Sequence, residues 1–322
     1  LLKFLLIKFL KFILFPFKGI ISSISQEYLE KELFNTGLIL SKQNNLRFKK
    51  IKNLSEVEFS VFSQWGDDGI IDWLNYILNF KKKRFVEIGV QDYYECNTRF
   101  ILKKKNWSGL VLDMSKKYID KIKSQSVYWK HNITAKKAYV TAENINQILT
   151  KSNYSKNISL LSLDIDGNDF WVMKKLKIDA DLIICEFNGI FGDIHEITVP
   201  YKKNFDRTKE HHSNLYYGCS IKSLVTLLLK KNYFFIGTNS AGNNAYFINA
   251  THYQRIKKRI REFKIFPPKF RESRNKKFQK TFLPLKKSVN LIQEKNVYNL
   301  KKKKLIKIKD LKKIYSKNFL MS

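Results

Sequence analysis

Only three cysteines occur in 322 residues, Cys96, Cys185 and Cys219, an odd number without C-x-x-C spacing. Such a set supports neither a disulfide framework nor a zinc site, and it implies a reducing compartment. Cys185 lies in an apolar run and reads as core filler. Acidic residues are scarce as well, 28 against 61 Lys and Arg, leaving a formal net charge of +33. The excess is uneven: from Thr251 onward there are 24 Lys and Arg and 4 Asp and Glu. Lipid surfaces, nucleic acid or acidic glycans suit such a region, although a lysine bias throughout the chain explains part of it. Two phosphate-binding patterns are missing, G-x-G-x-x-G and G-x-x-x-x-G-K-[ST]. Their absence argues against a nicotinamide dehydrogenase and a P-loop enzyme. No named nucleic-acid-binding motif accompanies the charge, so nucleic acid ranks below a membrane as the anionic partner.

The chain does have a core to bury. Hydrophobic residues make up 44%, with 25 Phe and 16 Tyr, which excludes a disordered protein. The length suits one α/β domain of roughly 200–250 residues with appendages. Four regions are expected: an amphipathic cationic segment over 1–20, a helical and polar lead-in over 21–62, the main domain over 63–250 and a basic extension over 251–322. In the first, Lys3, Lys8, Lys11 and Lys18 fall on one stripe of an otherwise apolar helix. Those charges and Pro16 suit neither a spanning helix nor a signal peptide. A helix in the plane of an anionic membrane surface fits, as does one docked on the protein's own core. The expected location is the cytoplasm, at the inner face of the membrane.

The main domain is organised around Arg84–Asp113. Phe85–Val90 is an apolar run broken by Gly89, Asn97–Lys105 is helical in pattern, and Gly109–Met114 is a second apolar run carrying Asp113 near its end. Strand, glycine turn, helix and strand with a terminal carboxylate form the βαβ unit that holds nucleotide-like cofactors. The glycine admits close backbone approach, and the carboxylate can accept both hydroxyls of a ribose. Upstream, Asp67 or Asp68 is expected to cap the helix that follows Gly66. Downstream, a helix is expected over 116–124, a short strand over 128–131, a third main strand over 138–141 and a helix over 145–149. A fourth strand over 160–163 ends in acids, and a helix over 170–176 leads to a fifth strand over 181–188. A long loop, 189–218, precedes a helix over 220–230 and two strands, 233–238 and 245–249, joined by a Gly/Asn turn. The last two pair as a hairpin, whereas the first five need crossovers and are parallel. In the tail, Leu305–Lys309 alternates like an exposed strand.

This order defines an α/β, doubly wound, mostly parallel sheet with a terminal antiparallel hairpin, the Rossmann-like arrangement of class I methyltransferases. Ligands in such sheets bind beyond the carboxyl ends of the strands. Those ends carry Glu87, Gly89, Asp113, Glu143, Asp164, Asp166, Glu186 and Asn188. The phrases SQWGDDGIIDWL, FVEIGVQDYYECNT, NWSGLVLD, LLSLDIDGNDFWV, LIICEFN, TVPY and HSNLYYGCSIKSL, with GTNSAGNNAYFI, resemble the FkbM-type S-adenosylmethionine-dependent methyltransferases, in a branch associated with surface polysaccharides. The resemblance covers about Ser63–Asn249, with an echo at 270–274. It implies S-adenosylmethionine as cofactor, with Glu87 and Gly89 bordering its methionine part, Asp113 on the ribose, Glu143 near the adenine and Asp164 facing the sulfonium; Gln64, which a plain capped helix start leaves unexplained, is counted among the cofactor-binding residues. It departs from the family in its glycine loop, where Val90-Gln91-Asp92-Tyr93-Tyr94 follows Gly89.

The resemblance makes O-methylation of a carbohydrate or other polar acceptor the expected activity. A non-catalytic membrane- or polyanion-binding protein on a degenerate methyltransferase scaffold is the competing reading. Transfer to oxygen needs an in-line approach and a general base. Asp166, Glu186 and His195 are the candidates, with Asp166 placed best by the strand rim; His211 and His212 read as a solvated loop. Asp164–Asp169 opens like a calcium loop, but the sixth and twelfth positions hold Asp169 and Lys175 instead of Gly and Glu. With Glu186 and Asn188 these acids could hold a hard divalent ion, yet a helix N-cap with an Asp-Gly turn accounts for them more simply. No metal ligand is assigned.

Overall fold

A computed structural model describes Ser25, residues 27–269 and residues 272–322. The amphipathic segment expected over 1–20 and the first two residues of the 270–274 echo lie outside the described residues. Helix α1 (27–46) and helix α2 (Asp67–Leu78) precede the sheet. The strands and helices then alternate: β1 (Arg84–Ile88), α3 (Arg99–Lys105), β2 (Ser108–Asp113), α4 (Lys116–Ser124), α5 (Ser126–Lys130), β3 (Ile133–Lys137), α6 (Ile145–Lys151), β4 (Ile158–Leu163), α7 (Asp169–Lys175) and β5 (Ala180–Glu186). After β6 (Ile197–Thr198), α8 (Arg207–Glu210) and α9 (Ile221–Leu229) come β7 (Tyr233–Thr238), β8 (Asn244–Asn249) and α10 (Ala250–Lys257).

Seven strands form the central sheet in the order β3-β2-β1-β4-β5-β8-β7. β1 to β5 run parallel, and β8 is inserted antiparallel between β5 and β7. The order reverses at β1, where β2 lies on one side and β4 on the other, making a crevice at their carboxyl ends. Alternate residues of each strand serve opposite faces. Phe85, Val111, Leu160 and Leu182 pack with Ile70, Trp73 and Leu74 of α2. Val86, Leu110, Leu161 and Ile183 pack with Phe170 and Met173 of α7 and Leu224 and Leu228 of α9. Both faces are covered, which is why these strands read as continuous apolar runs. Ser115 and Ser220 cap α4 and α9 by accepting from the N–H groups of Tyr118 and Ser223.

Three local expectations are corrected. The third main strand is Ile133–Lys137 rather than 138–141, and pairs Gly109–Asp113 with 133–137. It is an edge strand, so only Ile133 and Ala135 are buried while Lys136 and Lys137 face water, and its apolar signal is weak. Residues 128–131 form no strand, because Ser126–Lys130 makes a helical turn instead. Neither Asp67 nor Asp68 caps α2, whose N-cap is Gly66 without a side-chain bond. Asp68 Oδ2 accepts from the backbone N–H groups of Val61, Phe62 and Ser63 at 2.8, 2.6 and 2.8 Å. Asp67 accepts from Asn244 and Tyr246 of β8 and from Asn239.

The basic C-terminal region folds back on the loop after β5. Helix α11 (Leu285–Leu291) is followed by β9 (Asn296–Asn299), which pairs with β6 and with β10 (Lys304–Lys307) in a second, antiparallel sheet. Ile292, Val297 and Ile308 share a core with Ile190, Phe191 and Tyr216. β10 is one edge of this sheet, and its terminal lysines discourage edge pairing with another chain. Among the described residues, no helix is long and apolar enough to cross a membrane.

Candidate active site

Three adjoining cavities lie along the carboxyl ends of the strands. The largest, about 690 Å³, is bordered by Gly89, Asp113, Tyr118, Tyr139, Val140 and Phe205. A second, about 90 Å³, is bordered by Gln64, Glu87, Gly89 and Asn97. A chamber of about 170 Å³ holds Gln64, Asp166, Glu186, Arg207 and Tyr217. Asp164 and Gln91 line all three and so mark their junction.

β1 and the turn after it shape the first two spaces. Gly89 has φ +88°, and its N–H donates to the Leu112 carbonyl at 2.9 Å. In place of a glycine-rich loop, Gln91 (φ 48°) and Tyr93 (φ 63°) take the left-handed conformation themselves. That costs about 1 kcal/mol or more at each, and buried contacts offset it. Tyr93 is fully enclosed and its hydroxyl bonds Thr98 Oγ1 at 2.8 Å. The loop therefore keeps a tight turn without further glycines. Its Gln91 N–H donates to Asp113 Oδ2 at 2.8 Å, and Ser115 N–H donates to Asp113 Oδ1 at 2.7 Å. Asp113 is thus held rigid at the tip of β2, with lone pairs left for a ligand. Burial raises its proton affinity and the two N–H donors oppose that rise.

Glu87 is locked by the start of α3. Its Oε1 accepts from Asn97 N–H at 2.7 Å, and its Oε2 from Thr98 N–H at 3.0 Å and the Thr98 hydroxyl. Burial still raises its pKa to about 7. Asn97, positioned by this lock, bonds Ser162 Oγ at 3.0 Å and faces the second cavity.

The chamber is built by the tips of β4 and β5. Parallel pairing of Leu163 with Cys185 sets Asp164 beside Glu186. Burial and the neighbouring Asp166 and Asp169 push Asp164 up to about 8, and burial with Asp164, Asp166 and Asp169 drives Glu186 well above the usual carboxylate range. Asp166 (φ 56°) makes an ion pair with Arg207. That guanidinium also donates to the Asn214 carbonyl at 2.8 and 3.1 Å and stacks 4.0 Å over Tyr217.

The structure thus brings together Gln64, Glu87, Gly89, Asp113, Asp164, Asp166 and Glu186. It does not bring Glu143 or His195 to these cavities. Glu143 stands exposed and accepts from Tyr201 Oη at 2.6 Å, while His195 Nε2 faces the Lys313 carbonyl. Asn188, set beside the acids by sequence, spends its amide on the carbonyls of Leu215 and Tyr217 and on Ile190 N–H. Arg207, Gln91, Asn97 and Tyr139 were not recognisable as site residues. Arg207 is a lone arginine in a long loop, and only the loop's return over Asp166 gives it a place.

No family model and no curated protein matches the chain. Similar solved structures include a S-adenosylmethionine-dependent methyltransferase from Clostridium acetobutylicum, with 8% identity, TM-score 0.37, and 57% of this chain and 90% of that one covered. Another is the O-methyltransferase from Bacillus cereus in complex with SAH, with 12% identity, TM-score 0.36, and 70% and 98% covered. A third is the N-terminal domain of EvdMO1 in the presence of SAH and D-fucose, with 9% identity, TM-score 0.36, and 54% and 77% covered. Likenesses so distant do not assign an activity.

Proposed function

We propose that the protein is an S-adenosylmethionine-dependent O-methyltransferase of the FkbM type, acting on a hydroxyl of a carbohydrate or similarly polar acceptor. The observation that carries this reading is the rigid Asp113 carboxylate at the tip of β2, beside Gly89 and bordering the 690 Å³ cavity that runs past Asp164 into the acidic chamber. The residues fit the cofactor in kind. Asp113 offers acceptors for ribose hydroxyls, Tyr118, Tyr139, Val140 and Phe205 offer apolar surface for a purine, and Glu87, Gly89 and Asn97 offer a polar end for the amino acid portion. Bound there, S-adenosylmethionine would supply an electrophilic sulfonium-bound methyl for transfer to the acceptor oxygen, with the C–S electron pair left on sulfur and the hydroxyl proton given up. Within the chamber, Gln64 and Arg207 supply hydrogen-bond donors that orient a polar acceptor, and Asp166 and Glu186 are the carboxylates in reach of its proton. Tyr217 and Trp65 give the flat apolar contact that sugar rings favour.

Calorimetric titration of S-adenosylmethionine into the wild-type chain and Asp113→Ala tests this reading. Micromolar binding to the wild type and its loss in the folded variant are expected. A folded wild type that binds no cofactor would leave the non-catalytic scaffold reading in its place. We also propose attachment to an anionic membrane surface through the basic C-terminal region, where Lys301–Lys304 are all exposed. Co-sedimentation with phosphatidylserine vesicles that disappears when these lysines become glutamines is the expected result.

A further inference from the structure

We propose that Asp164, Asp166 and Glu186 together bind one divalent cation, of the Mg²⁺ or Mn²⁺ kind, in the chamber between β4 and β5. The inference deepens the methyl-transfer reading, because the ion would stand where the acceptor hydroxyl enters. Four observations carry it.

One oxygen from each carboxylate lies within 4.8 Å of the other two. Oxygens on opposite sides of a hard cation stand about 4–5 Å apart, so a single ion spans all three without backbone movement. Secondly, Glu186 is only 7% exposed, it lines the chamber, and its Oε2 is enclosed with no hydrogen-bond partner. A carboxylate oxygen buried in that state is costly, and a cation is the ligand that would satisfy it.

Thirdly, the turn is tied mainly by Asp169, which accepts from the N–H groups of Ile165 at 2.8 Å and Gly167 at 2.9 Å. Asp164 Oδ1 adds only one long bond, from Asp166 N–H at 3.4 Å. The N-cap of α7 is Asn168 and makes no side-chain bond, so the N-cap reading of the acidic run does not account for Asp164 and Asp166. Fourthly, among the described residues Arg207 is the cation paired with the cluster, through Asp166. Were all three carboxylates ionised around a bound ion, they and the guanidinium would sum to two negative charges, which one divalent ion would neutralise. Oxygen ligands select a hard ion, and three of them leave coordination positions open. An acceptor hydroxyl in one of those positions would be oriented and made more acidic, and its proton would pass to water at the exposed rim beside Asp166.

Mn²⁺ titrated into the full chain, with free ion followed by electron paramagnetic resonance, tests the site. One saturable site is expected in the wild type, weakened at least about tenfold by Glu186→Gln and by Asp166→Asn. Asp166 sits at the rim, so its variant reports on the site even where the buried substitution unfolds the chain. S-adenosylmethionine binding is measured in parallel without metal. Cofactor binding without a saturable Mn²⁺ site, or Mn²⁺ binding unchanged in both variants, overturns the cation site and leaves the methyl-transfer reading intact. Mn²⁺ binding without cofactor binding upholds the cation site and removes the methyl-transfer reading.

Discussion

Gly89 and Asp164 meet backbone to backbone: a Cβ added to Gly89 would lie 1.6 Å from the Asp164 carbonyl oxygen. The contact closes the crevice between β1 and β4, and Asp164 N–H donates to the Ile88 carbonyl at 3.1 Å. Gly89→Ala adds both a positive-φ penalty and a collision with main chain that cannot rotate away. It should destabilise the fold by about 3 kcal/mol or more, read as a lower urea midpoint at unchanged slope. A loss below about 1 kcal/mol would mean that the two tips are not in contact.

Asp113→Asn separates the carboxylate's charge from its place in the fold. One oxygen still accepts, but the amide nitrogen faces either Gln91 N–H or Ser115 N–H. A stability loss of about 1–2 kcal/mol is expected, with cofactor affinity falling at least about tenfold, since two charge-assisted bonds to ribose hydroxyls weaken. Calorimetry beside thermal melting distinguishes the two effects. Unchanged affinity would remove Asp113 from the ribose site.

Glu87 makes stability depend on pH in a stated direction. Its pKa rises from 4.5 to about 7 on folding, so the folded chain holds a proton that the unfolded chain has released. Its contribution is fully present below about pH 4.5 and is lost as pH rises through about 7. In Glu87→Gln that slope is absent, at the cost of about 2 kcal/mol because the new amide group faces the Thr98 N–H and hydroxyl donors. Melting temperatures of both proteins from pH 4 to 8 provide the check. A wild-type-minus-variant difference that is flat over that range would count against the buried, proton-retaining Glu87.

Asp68 is expected to hold the 61–63 loop, and through it Gln64 and Trp65 at the chamber wall. Asp68→Ala leaves three enclosed N–H groups unpaired and should cost about 3 kcal/mol. Asp68→Asn keeps an acceptor oxygen and should cost less. Hydrogen exchange at Val61, Phe62 and Ser63 would accelerate in the alanine variant ahead of the rest of the domain. Equal protection in both proteins would assign the loop's stability to packing instead.

What the amino-acid sequence determined by itself was the alternation of strand and helix and the placement of polar residues at strand tips. Buried parallel strands such as Phe85–Ile88 and Leu160–Leu163 are apolar on both faces, and that signal is local. Gly89 and Asp113 were legible for the same reason, since each ends an apolar run. The edge strand Ile133–Lys137 was not, because half of it faces water. The roles of Asp67 and Asp68 were decided by partners far along the chain, Asn239, Asn244 and Tyr246 for one and the 61–63 backbone for the other. Glu143 and His195 stood at plausible positions in the sequence, but their loops turned them toward Tyr201 and Lys313. The acids of the chamber were legible as strand-tip residues, but the tertiary structure alone decided which of them meet and what closes over them. Pairing of β4 with β5 brings Asp164 and Glu186 side by side across 22 residues of chain, and folding of the 189–218 loop sets Arg207 against Asp166. Side-chain periodicity is written locally at 2 or 3.6 residues, whereas the charge balance of a cavity depends on which distant segments the sheet order makes neighbours.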